Sequence, residues 1–172
     1  LGAVAMWLAS PFDRLAMPAT RGFGMNPILE HPAMAVHPPL LYLGLAASAG
    51  AAVAAAGAAD PWPAARRWLL AAIALLAAAM ALGGAWSYME QGWGGYWAWD
   101  PVENVALLPW LVSTAFLHSV MLQQRRGMAA LWNLVLVIAA FALMPFGTFL
   151  TRGNVLTSIH AFTESGVGPA YL

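Results

Sequence analysis

Trp93-Gly94-Gly95-Tyr96-Trp97-Ala98-Trp99-Asp100-Pro101-Val102-Glu103-Asn104 places four aromatic rings and two carboxylates within twelve residues, between long apolar runs. A buried helix absorbs isolated rings as core, but Gly94, Gly95 and Pro101 punctuate this stretch and predict an irregular, partly exposed loop. Glycine removes bulk where a flat partner must approach closely, and Trp and Tyr offer rigid amphipathic faces suited to a membrane–water interface. Two readings compete: an aromatic belt that only anchors helices, or a surface that receives a flat aromatic ligand. A belt requires neither Gly-Gly, nor Asp-Pro, nor fixed spacing, and this favours the ligand surface.

The runs on either side set the class of protein. Of 172 residues 62% are hydrophobic and 8% charged, with a mean hydropathy of +0.70, which predicts an integral membrane protein. Net charge is zero with no basic run, so neither nucleic acid nor an electrostatically held membrane-surface role is indicated. Cysteine is absent, which excludes disulfides, thiolate metal sites and a Cys nucleophile from these residues. Leu1 opens within an apolar run without a charged leader, and the chain reads as a piece of a longer parent.

A bilayer core takes about 20 apolar residues per helix. The sequence therefore predicts an all-α polytopic bundle: the truncated end of one span over about 1–9, then spans over about 40–59, 67–86, 105–122 and 128–150. All 172 residues form one unit, with residues 87–104 as its tryptophan-rich loop. Six prolines between Pro11 and Pro39 make the first connection an extramembrane loop, and Pro38-Pro39 suit the first turn of the helix from Leu40, leaving His37 just outside it. Arg66-Arg67 and Arg125-Arg126 occupy alternate short connections and belong on the cytoplasmic face. The Pro-rich loop with His37, the aromatic loop and the tail with His160 then share the opposite, periplasmic face.

The aromatic stretch resembles the tryptophan-rich WWD signature of the haem-handling proteins of cytochrome c maturation, and its Trp-Asp-Pro-Val-Glu-Asn ending resembles most the CcmF-type haem lyase. Asn26-Pro27-Ile28-Leu29, His37-Pro38-Pro39-Leu40-Leu41-Tyr42, Gly147-Thr148-Phe149-Leu150-Thr151-Arg152 and Ser158-Ile159-His160-Ala161-Phe162 resemble the same family, in its order, across nearly the whole chain. Tyr96 stands where that family usually has another Trp, and Gly153-Asn154 where Ser-Gly is commoner. The resemblance implies a membrane haem lyase that adds the two Cys thiols of an apocytochrome Cys-x-x-Cys-His motif across the haem vinyl groups. It also implies a haem chaperone, apocytochrome c and other maturation subunits as partners, in a bacterial inner membrane.

Two histidines on one face suit two axial imidazoles around one iron, with the porphyrin against Trp or Tyr faces. His37 and His160 are therefore the candidate iron ligands, the assignment the resemblance also carries; as lone loop residues each would ordinarily cap a helix or bond locally. His31, between Glu30 and Pro32, stays outside the ligand set. His118 lies 14 residues beyond Asn104, about 20 Å down its helix, where an ionisable side chain is a functional candidate. Its ordinary alternative is a hydrogen bond to Thr114, one turn away. The resemblance makes His118 one axial ligand of an intramembrane haem b that supplies electrons, its partner lying beyond these residues.

Trp93, Gly94, Gly95, Tyr96, Trp97 and Trp99 are the candidate haem platform. Asp100 and Glu103 stand at a helix entry, where capping is favoured for Asp100 and where Glu103 serves equally well as an imidazole partner, a neighbour of the haem propionates or a structural residue. Arg152 pairs with a propionate or with lipid headgroups. No acid, base or nucleophile is evident, so the expected contribution is positioning. The rivals are a haem-delivery module that presents haem to a chaperone without ligation, and a transporter gated by the aromatic loop.

Overall fold

The computed structural model describes residues 17, 21–22, 24–57, 59–152, 156 and 158, with Arg152 described in its backbone only. The truncated span expected over residues 1–9 and His160 lie outside the described residues. A short 3-10 turn, Pro27–Leu29, is followed by four helices: α1 Ala33–Gly57, α2 Trp62–Glu90, α3 Pro101–Arg126 and α4 Ala130–Arg152. Each is long and apolar enough to cross a membrane, and no strand occurs among the described residues.

Local chemistry explains the boundaries. The Ala33 N–H donates to His31 Nδ1 at 3.1 Å, so His31 caps α1. The helix thus begins well before Leu40, and His37 sits within its opening turns rather than outside it. Proline's fixed φ is already helical, so Pro38 and Pro39 are accommodated there, at the cost of the N–H groups that the Met34 and Ala35 carbonyls would otherwise receive. At α3, Asp100 is the N-cap, Pro101 follows at the first helical position, and Glu103 reaches back to complete a capping box. Gly127 ends that helix at φ +65, with Arg125 and Arg126 in the last turn beside the negative end of the helix dipole.

The helices run up, down, up and down, with α1 on α2, α2 on α3, α3 on α4 and α4 back on α1. Small residues let backbones approach where lipid supplies no hydrophobic drive. A Cβ at Gly44 would lie 2.8 Å from Leu76, and one at Gly50 2.7 Å from the Trp68 ring. The buried core gathers Ala47 and Ala51 of α1, Ala65, Leu69 and Ala72 of α2, Phe116 and Val120 of α3, and Leu136, Val137 and Ala140 of α4. These residues occupy the half of the bundle that ends in the two Arg pairs. The other half, beneath the aromatic loop, is open.

Candidate functional site

At that open end His37, Met34 and Leu41 of α1, Met80, Gly83, Gly84 and Trp86 of α2, Tyr96 and Trp97 of the loop, and Val102, Glu103 and Ala106 of α3 line one cavity of about 270 Å³. Leu29 and Pro38 complete the wall. Trp86 donates its indole N–H to the Ile28 carbonyl at 3.1 Å, which fastens the Asn26-Pro27-Ile28-Leu29 turn over the top of α2.

His37 is held from behind. Its Nδ1 lies 2.8 Å from the Ala79 carbonyl, which can only accept, so Nδ1 carries a proton and donates it there. Gly83, one turn beyond Ala79, makes this approach feasible: a Cβ there would meet His37 Cε1 at 2.8 Å. Gly84 does the same for the loop, since its Cβ would stand 2.9 Å from the Tyr96 carbonyl oxygen. Glycine costs a helix interior about 1 kcal/mol, and here the cost admits an imidazole and a loop backbone at adjacent positions.

The loop is internally braced. Tyr96 stacks on Tyr88 at 4.5 Å and 7°, and Trp97 meets Trp99 edge to face at 6.0 Å. Trp93 donates to Gln91 Oε1 at 2.9 Å and its ring lies over Gly95, where a Cβ would come within 2.1 Å. Gly94, at φ +75, makes the turn that follows Trp93. Trp99 adopts φ +57, a left-handed conformation uncommon for a bulky residue. Glu103 Oε2 holds it from both sides, accepting from the Ala98 N–H at 2.9 Å and the Asp100 N–H at 3.3 Å, while Asn104 Nδ2 donates to the Trp99 carbonyl. Trp99 is left 70% exposed.

The candidates thus separate into groups. His37, Tyr96, Trp97 and Glu103 share the cavity, with Trp93, Gly94, Gly95 and Trp99 in the same loop outside its lining. Asp100 is buried behind the loop, where it accepts from the Val102 N–H and the Ser158 hydroxyl. Glu103 makes its hydrogen bonds to the loop backbone. His118 is exposed on the outer surface of α3, its Nδ1 donating to the Thr114 carbonyl at 2.8 Å, so the residue expected as its partner supplies main chain rather than hydroxyl. The side chain of Arg152 and all of His160 lie outside the described residues. Sequence reasoning missed Gly83-Gly84, Trp86 and Ser158. The Gly-Gly pair inside an apolar helix was the visible signal.

This bundle with its braced tryptophan loop has known relatives. A family model described as cytochrome C assembly protein matches residues 2–157. The chain belongs to that family. It is 45% identical over 171 residues to the probable cytochrome c-type biogenesis protein NrfE of Escherichia coli (strain K12), covering 95% of this chain and 31% of that one. To the cytochrome c-type biogenesis protein CcmF of Pseudomonas aeruginosa it is 45% identical over 165 residues, covering 91% of this chain and 25% of that one. A solved structure of the cytochrome c heme lyase CcmF matches 83% of this chain and 23% of its own length, at TM-score 0.63 and 40% identity. The chain spans less than a third of the length of these relatives. The family match and four helices long and apolar enough to cross a membrane together support a multi-pass membrane protein.

Proposed function

We propose that this segment holds haem as the substrate of a cytochrome c haem lyase, with iron between His37 and His160 and the ring against the tryptophan loop. The observation that carries the reading is the shared cavity, which brings a backbone-oriented imidazole together with Tyr96 and Trp97. The Ala79 carbonyl orients His37 and raises the basicity of the Nε2 that would bind iron. The buried Trp97 indole N–H has no acceptor among the described residues, and Gly83 and Gly84 let His37 and the loop backbone close on the α2 wall of the cavity. A volume of about 270 Å³ falls just under the roughly 300–1,000 Å³ of sites that engulf a ligand, which suits a ring inserted by one edge with its vinyl groups outside.

In thioether formation each thiol of an apocytochrome Cys-x-x-Cys-His motif adds across a vinyl group, sulfur to one carbon and hydrogen to the other, so no oxidant is consumed. The residues here contribute position: His37 and His160 fix the iron, and Trp93, Tyr96, Trp97 and Trp99 set the plane of the ring. Gly94 and Gly95 shape that loop, Asp100 and Glu103 hold it, and Arg152 pairs with a propionate. Haem reaches the site from a chaperone, and other maturation subunits present the apocytochrome. The site faces the periplasm from the inner membrane, with Arg66-Arg67 and Arg125-Arg126 on the cytoplasmic side. His118 would supply one ligand to a haem b, its partner lying beyond these residues, and that haem would supply electrons.

Paired substitutions test the platform. Replacing Trp97 and Trp99 by Ala removes a stacking surface worth on the order of 1 kcal/mol in all, and haem affinity falls by roughly tenfold or less; Phe at both positions retains most of it. Holocytochrome yield falls further than haem content, because a tilted ring misplaces its vinyls. An intact yield in the Ala variant at normal protein levels would reduce the loop to an interfacial anchor.

A further inference from the structure

The hydrogen bond between Ser158 and Asp100 joins residues 58 apart in sequence, with the Ser158 hydroxyl donating to Asp100 Oδ2 at 2.5 Å. That length belongs to the short, charge-assisted class in which a hydroxyl meets a carboxylate. The same carboxylate oxygen accepts from the Val102 N–H at 3.1 Å. The Asp100 N–H is in turn held by Glu103 Oε2, the atom that also holds the Ala98 N–H. One connected set of hydrogen bonds therefore runs from the chain beyond α4, through Asp100, into the backbone on either side of Trp99. Asp100 is 7% exposed, so little water competes for the bond.

We infer that Asp100 and Ser158 form a latch that fixes the segment beyond α4 against the tryptophan loop, and that Ser158 is a positioning residue for the site. An N-cap is satisfied by any Asp, Asn, Ser or Thr and needs no distant partner. The added hydroxyl instead makes the helix entry an anchor for a second strand of chain. Ser158 stands two residues before His160 in the sequence. The bearing of the latch on haem rests on the proposed role of His160 as an iron ligand; the latch itself does not.

The test uses the full-length protein in detergent with Ser158→Ala and Ser158→Thr, the second keeping the hydroxyl. Hydrogen–deuterium exchange is read on peptides covering residues 153–160 of the haem-free protein, and haem per protein on the loaded one. The latch predicts that Ser158→Ala raises exchange in that segment at least tenfold and that Ser158→Thr stays near wild type. Haem content should drop at least threefold in Ser158→Ala, to between wild type and His160→Ala. Unchanged exchange in Ser158→Ala would overturn the latch. Raised exchange with unchanged haem content would uphold the latch and contradict the role of His160, so the two failures are distinguishable.

Discussion

The two halves of this bundle solve opposite problems. At the arginine end, Ala47 and Ala51 of α1 and Ala65 and Ala72 of α2 pack with Leu69, Phe116, Val120 and Val137, and apolar space is filled. At the aromatic end the same helices line a cavity, Gly83 and Gly84 admit His37 and the loop backbone, and Trp99 is held in a left-handed conformation. Strain of that kind costs on the order of 1–3 kcal/mol and persists where the surroundings over-determine it, as the Glu103 and Asn104 bonds do here. The contrast teaches that the packed half carries stability and the open half carries the candidate site, so substitutions in each should report through different measurements.

The largest expected effect lies in the packed half. Phe116→Ala empties a fully buried ring site and should cost about 3–5 kcal/mol, read as a lower thermal midpoint and reduced accumulation, with haem per folded protein unchanged. Equal loss of haem per folded protein would show that the halves are coupled. The second effect has the opposite sign. Asn133 is fully buried at the packed end with both side-chain polar atoms unpartnered, so Asn133→Leu should stabilise by about 1–3 kcal/mol. Destabilisation in the full-length protein would mean that the remainder of the polypeptide supplies a partner for Asn133. The smallest effect belongs to the open half: Gly83→Ala pushes a Cβ against His37 and should lower haem affinity about tenfold, roughly 1.4 kcal/mol, while the thermal midpoint holds.

The packed half was largely legible in the sequence, because hydropathy over about 20 residues is a property of the segment itself. Helix number, the order of connections and the Asp100 cap all follow from such local rules. The start of α1 was not legible: Pro38-Pro39 read as a first turn, whereas the His31 side chain caps the helix earlier and tolerates both prolines inside. In the open half Gly94, Gly95 and Pro101 predicted an irregular, partly exposed loop, but its geometry depends on contacts between distant positions. Nothing near His37 in sequence signals Ala79 or Gly83, 42 and 46 residues away, and nothing near Asp100 signals Ser158. His118 shows the reverse limit: its depth was readable from spacing, while its exposure on α3 emerged only from the packing of the helices.

The central claim is that one haem sits between His37 and His160 at the open end, and the absorbance spectrum of purified full-length protein measures this most directly. His37→Ala and His160→Ala should each remove the same haem signal, the double substitution should remove no more, and His118→Ala should leave that signal while deleting a separate b-type one. Two independent, additive losses from His37→Ala and His160→Ala would contradict a single shared site.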